Sequence, residues 1–136
     1  MTVVINPKSS KRRRNRAPDS SLGRREQNKL DKRERIRDAA FELFTALGYD
    51  KTTTKAVAEH AGVAAGTLFL YAKDKADLLF LVFHDRLADT VDRQLASLPK
   101  TSLLAQLMHV FRGLFAMYAE HPDVSFEFVK ALPGAD

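Results

Sequence analysis

Between Thr52 and Lys75 the chain carries two short helical patterns separated by Ala61-Gly62-Val63. Two helices joined by so few residues can pack only at a steep angle, so this stretch constrains the fold around it more than any other. Gly62, without a Cβ, takes a positive φ at no steric cost, as a tight helix-to-helix turn demands, and Val63 supplies an apolar plug beneath the turn. Thr53 is placed to cap the first helix, which runs through Lys55, Ala56, Val57, Ala58 and Glu59, its hydroxyl accepting from an otherwise orphaned backbone N–H. The second helix, read as about two turns, carries Gly66 to Tyr71. Leu68 falls on its inward face; Thr67, Phe69 and Tyr71 fall outward.

The rest of the sequence is helical in period. From about Lys29, the residues Ile36, Ala39, Ala40, Leu43, Phe44 and Leu47 form one apolar stripe, closed by Gly48 as a left-handed stop, with Tyr49 able to fold back on the last turn. Lys73-Asp74-Lys75 opens a long helix with the apolar set Leu78, Leu79, Val82, Leu87, Val91, Leu95 and Leu98, ended by Pro99. Asp85, Arg86, Asp89 and Arg93 read as its wet face. A further helix from about Ser102 to Ala119 is broken at His121-Pro122, and a short pattern runs from Val124 to Leu132. No segment of useful length has strand period, so the fold class is all-α: a three-helix head, a long linking helix and a truncated helical body.

Charge is unevenly distributed. Residues 1–37 hold 13 of the 22 Lys+Arg and 4 of the 17 Asp+Glu, a balance of +9 that leaves −4 for the remainder. A cationic end on an otherwise acidic chain is the footprint of polyanion binding. Residues 1–29, with Pro7, Pro18, Gly23, two serine pairs and Lys11-Arg12-Arg13-Arg14, have few apolar side chains to offset the entropy of ordering and read as a disordered basic arm. A solubilising tail is the plainer alternative. The chain has no cysteine, which removes disulfides, thiolate nucleophiles and cysteine-based zinc sites and suits a reducing cytoplasm. No apolar run approaches the length of a secretory signal or a membrane span.

Catalytic and metal chemistry find little support. His60, His84, His109 and His121 lack the spacing that places two ligands on one helical face, and there is no Gly-rich phosphate loop or nucleophile elbow. The expectation is a non-enzyme without metal or cofactor. The Phe and Met residues of 103–118 suit core packing first and an effector pocket second.

Two helices hinged this way form the unit that sets its second helix in a DNA major groove. Taken together, Ile36, Ala39-Ala40, Leu43-Phe44, Gly48-Tyr49, Thr52-Thr53, Val57-Ala58, Ala61-Gly62-Val63, Gly66-Thr67-Leu68, Tyr71, Lys75 and Leu78-Leu79 resemble the N-terminal domain of the tetracycline-repressor (TetR) family of bacterial transcriptional regulators. The resemblance implies a DNA-binding domain over residues 30–90, with the helix-turn-helix at 53–72, and the start of a ligand-binding and dimerisation body over 91–136. It implies phosphate contacts from Thr53, Thr54, Thr67, Tyr71 and Lys75, groups that fix register without reading sequence. Base contacts are implied for Lys55, Ala65, Gly66, Phe69 and Leu70. Of these only Lys55 can donate to guanine, so the others discriminate by apolar contact, for instance with thymine methyl groups.

The sequence departs from the family's usual pattern at Ala64, where a Ser or Thr cap is common, at Phe69, where Tyr is frequent, and at Ala72, where an aromatic is frequent. Members generally continue past residue 136, their dimer interface being a four-helix bundle of final helices. A fragment, a different dimer and a degenerate member are therefore all open, and apolar faces holding Leu107, Phe111, Phe115, Phe126 and Phe128 are expected to be partly uncovered. The implied partners are a palindromic operator in double-stranded DNA, a second copy of the chain and a small-molecule effector. The implied function is a transcriptional regulator, a repressor released by that effector; the alternative is a helical protein-interaction module that no longer reads DNA.

Overall fold

A computed structural model describes the backbone of residues 20–134 and the side chains of 23–133. Six helices follow in order: α1 Ser20–Leu47, α2 Thr54–Ala61, α3 Ala65–Leu68, α4 Lys75–Ala96, α5 Leu103–Glu120 and α6 Pro122–Ala131, with a 3₁₀ turn at Leu132–Gly134. No strand occurs among the described residues. The fold is all-α.

Helix α1 departs from the expected start near Lys29, because it begins at Ser20 and passes through Gly23. The part of the expected disordered arm from 20 to 29 is thus helical; residues 1–19 lie outside the described residues. Arg24, Arg25, Glu26, Gln27 and Lys29 are straight-chain helix formers that outweigh one glycine, and Gln27 donates to Asp31 one turn on. Further along, Ile36, Ala39, Ala40 and Phe44 are buried, Leu43 is half-buried, and Leu47 is exposed at the helix end. Gly48 ends the helix at φ +89°, and the Tyr49 ring folds back to 5.3 Å from that of Phe44. Thr52 is buried, and its hydroxyl is shared between the carbonyls of Gly48, at 2.8 Å, and Leu43, at 3.1 Å. The Thr52 side chain thereby ties the α1–α2 loop to the end of α1.

Helix α4 is capped by Asp74, whose carboxylate accepts from the Asp77 N–H at 2.8 Å. Leu78, Leu79, Val82, Phe83 and Thr90 are buried, Leu87 and Val91 are half-buried, and Leu95 is exposed. The helix ends at Ala96, so Leu98 lies beyond it. Helix α5 crosses α4 closely enough that the Gln94 side chain occupies the space a Cβ on Gly113 would need. Ser102 caps α5, and Pro122 occupies the first turn of α6, where its missing N–H costs nothing. Phe128, expected to be uncovered, is buried against Phe83, the rings stacked at 4.3 Å. One core therefore runs from α1 through α4 to α6.

The reading of Asp85 as a solvated side chain is corrected. It accepts a two-pronged bond from the Arg33 guanidinium, at 2.8 and 2.9 Å, and a third bond from Arg37 at 2.6 Å. These bonds join α1 to α4 across the head. Arg33 holds the Asp85 carboxyl well below the usual carboxylate range, with His84 and Arg37 adding to the effect and partial burial opposing it. Arg86 likewise leaves the wet face and pairs with Glu120 of α5.

Candidate nucleic-acid interface

The turn between α2 and α3 forms as its residues demand. Thr53 caps α2, its hydroxyl accepting from the Ala56 N–H at 3.1 Å. Gly62 closes α2 in the left-handed region at φ +69°, ψ 35°, and Val63, half-buried, donates its N–H to the Ala58 carbonyl. Ala64 begins α3 with no side-chain cap. The helix itself is shorter than the two turns expected. Only Ala65–Leu68 is α-helical, after which Leu70 and Tyr71 donate three residues back, to Thr67 and Leu68. Such tightening is how a helix commonly ends, and it swings Tyr71 toward α1.

Leu68 is fully buried, and Ala72 beside it is buried too. The outer surface of α3 is left to Ala65, Gly66, Phe69 and Leu70, with Phe69 50% and Leu70 82% exposed. Lys55 is exposed on α2, next to the exposed Thr53 and half-buried Thr54; Thr67 and Tyr71 are half-buried at the edge of the same surface. Nine of the ten residues named from the sequence lie in α2, α3 and the segments bounding them; the tenth, Lys75, is the first residue of α4. Gly66 is notable because an added Cβ would meet nothing within 4 Å and its φ is not in the left-handed region. The fold does not need glycine there.

Two of the cluster are tied back to the scaffold. The Tyr71 hydroxyl donates to the Lys29 carbonyl at 3.3 Å. The Lys75 ammonium donates to the carbonyls of Tyr49, at 2.9 Å, and Asp50, at 3.4 Å, and stands 4.4 Å from the Tyr49 ring centroid. Lys75 therefore staples the start of α4 to the α1–α2 loop, a role its sequence position did not reveal.

This two-helix unit, with Leu68 buried and its outer surface apolar and basic, falls within the stretch that the comparisons with known proteins match. Residues 36–82 match the family described as "Bacterial regulatory proteins, tetR family". Over residues 36–82 this is a TetR-family segment. A relative in Bacillus subtilis, the fatty acid metabolism regulator protein, is 38% identical over 58 residues, which cover 43% of this chain and 30% of that protein. The HTH-type transcriptional repressor KstR of Mycolicibacterium smegmatis is 41% identical over 61 residues, covering 45% of this chain and 29% of KstR. Among solved structures, the fatty acid degradation regulator FadR of Bacillus halodurans aligns with a TM-score of 0.55 at 28% identity, over 68% of this chain and 50% of FadR. A TetR-family regulator of Haemophilus influenzae aligns at 0.50 and 26% identity, over 72% of this chain and 54% of that one. The chain thus spans under a third of those curated relatives and about half of the solved ones.

Beyond the head, only Met117 among the Phe and Met residues of α5 joins the core, and it also borders the cleft between α4 and α5. Leu107, Met108, Phe111 and Phe115 are exposed, and of the Met and Phe residues only Met117 is buried. The cleft between α4 and α5, about 570 Å³, is instead bordered mainly by charged side chains, including Arg86, Asp89, Asp92 and Arg93. Among the described residues no cluster of metal-ligating side chains occurs, and no helix is long and apolar enough to cross a membrane.

Proposed function

We propose that this chain carries the DNA-binding half of a transcriptional regulator, a repressor that occupies a palindromic operator as a dimer and leaves it when a small molecule binds the body. The observation that carries the reading is the outer surface of α3: Leu68 is locked in the core while Gly66, Phe69 and Leu70 stand exposed beside Lys55. A helix anchored on one face and bare on the other is built to be read against a partner. In this reading Lys55 donates to a guanine edge, and Ala65, Phe69 and Leu70 contact thymine methyl groups, with Gly66 admitting the duplex closely. Thr53, Thr54, Thr67 and Tyr71 hold phosphates. Lys75 offers its remaining donor to phosphate while its other two hold the α1–α2 loop in place. Residues 30–90 make up the DNA-binding domain; the body begins on α4 and continues through α5 and α6. An effector that respreads the two heads moves the α3 helices off a spacing of roughly 34–36 Å, or a multiple of it.

The test is selection of binding sites from a random duplex pool, followed by mobility shift. Enrichment of an inverted repeat that Lys55→Ala and Phe69→Ala both fail to retard is the expected result. Recovery of no shared sequence would leave the head without a reading function.

A further inference from the structure

The apolar stripe of α1 does not stop where its core stops. Stepping back from Ile36 by helical spacings, the same stripe continues through Lys32, Lys29 and Arg25, all exposed. Of the acids in this half of the helix, Asp31, Glu34 and Asp38 are turned away from the stripe's midline by the same helical geometry, and Asp31 already accepts from Gln27; Glu26 alone flanks the stripe, one turn from Lys29. None of Arg25, Lys29 and Lys32 forms an ion pair among the described residues.

Two contacts fix where this cationic stripe points. The Tyr71 hydroxyl, at the end of the outward α3 segment, donates to the Lys29 carbonyl at 3.3 Å, so the stripe runs directly beside the proposed DNA surface. Arg33 and Arg37 hold the next turns of α1 to α4 through Asp85. The overhang is therefore a rigid continuation of a docked helix. Its direction is set by the head.

We infer that the N-terminal overhang of α1 is a second DNA-contacting element, laying Arg25, Lys29 and Lys32 along the phosphates that flank the segment met by α3. The inference rests on the reading of the head as a DNA-binding unit. The contacts are sequence-independent: three cations in a row along one helical face match successive phosphates of the backbone. Asp85 acts as a positioning residue, touching no DNA itself.

The experiment measures fluorescence anisotropy of the full chain on a mixed-sequence duplex of about three helical turns across a salt series, since each phosphate contact adds about 0.9 to the slope of log K against log salt. Replacing Arg25, Lys29 and Lys32 together by Gln, which keeps the helix, is expected to lower that slope by about two to three, with circular dichroism unchanged. Adding Asp31→Asn and Glu34→Gln to the triple variant returns two of the three lost charges on the opposite face. A docked stripe is not rescued by charge placed there, so the slope is expected to stay low. An unchanged slope in the triple variant, or its recovery in the five-fold variant, overturns the overhang contact. In that event Lys55→Ala still abolishing selective retardation keeps the head's reading intact. A parent chain that binds neither this duplex nor any selected one overturns both.

Discussion

Gly66 is the residue at which stability and the proposed function pull apart. It sits in a helix of four residues, where glycine is less favourable than alanine by roughly 0.5–1 kcal/mol, and nothing within 4 Å would obstruct a Cβ. Gly66→Ala is therefore expected to raise stability by about 0.4–1 kcal/mol, read from urea denaturation, while weakening binding to a selected operator by tenfold or more. Loss of binding in a more stable protein is a signature that a folding defect cannot produce. Equal binding by both proteins would mean that no duplex approaches α3 closely. Thr53 offers the converse test, since its hydroxyl already caps α2 by accepting from Ala56 N–H. Its O–H hydrogen remains available for a phosphate. Thr53→Ala should cost about 0.5–2 kcal/mol in stability as well as DNA affinity, whereas Thr53→Ser should keep both. If Thr53→Ala lowers stability and leaves affinity untouched, the side chain is a cap and nothing more.

At the scale of helices, the connection between α1 and α4 is the feature with the clearest pH signature. The Asp85 carboxyl is held below its ordinary range by Arg33 first, with His84 and Arg37 adding to it. A folded-state value depressed below the unfolded one means that the ionised form stabilises the fold. That contribution is complete above the unfolded value of about 3.9 and is lost as pH falls through the folded one. Asp85→Asn removes it, and the cost should be about 1.5–3 kcal/mol near neutrality, the range for hydrogen bonds to charged groups. The gap between the two proteins is then expected to narrow as acid is added below about pH 4. Thermal melts at matched ionic strength would check this, and a gap that stays constant with pH would show that packing, and not the charge, is what Asp85 supplies.

This connection also shows what a linear sequence conceals. Ile36 to Phe44, Thr53, Gly62, Leu68 and the run from Leu78 to Val82 were legible because burial and capping leave local, periodic marks. Asp85 was not, because its partners Arg33 and Arg37 are far along the chain and a carboxylate on a helix ordinarily marks a solvated face. The start of α1 was hidden for a different reason: Pro18, Gly23 and the serine pairs resemble breakers, while the helix-forming bias of residues 24–29 is spread over many small terms. The second helix was read too long because Phe69, Leu70 and Tyr71 have ordinary helical propensity. Only the backbone bonds that reach three residues back reveal where α3 closes. For the candidate site, the sequence named residues that fall close together along the chain, but the ties of Tyr71 to Lys29 and of Lys75 to Tyr49 depend on helices meeting in space.

Over the whole molecule, burial is strongly uneven. The head and α6 share a core that includes the Phe83–Phe128 stack, whereas Leu103, Leu104, Phe111 and Phe115 on α5 stay in the open, Leu104 at 70% and Phe115 at 69%. Large apolar side chains grouped on one helix face are a standing drive toward association, at about 25 cal/mol per Å² of apolar area removed from water. The 136-residue chain is accordingly expected to associate as concentration rises, with sedimentation velocity showing the shift. Leu104→Ser with Phe115→Ser should suppress it. Both side chains are exposed, so the double variant should leave the melting temperature nearly unchanged, in contrast to Phe128→Ala, which empties a stacked core position and should cost roughly 3–5 kcal/mol. Association that survives the double serine variant would assign the drive to exposed apolar side chains left in place, Leu103 and Phe111 on α5 or Phe126, Val129 and Leu132 on α6 and the turn after it among them. Association driven by DNA-linked charge would instead fade with salt, while apolar association holds or strengthens, so the same velocity runs at two salt concentrations separate the behaviour of α5 from that of the cationic overhang on α1.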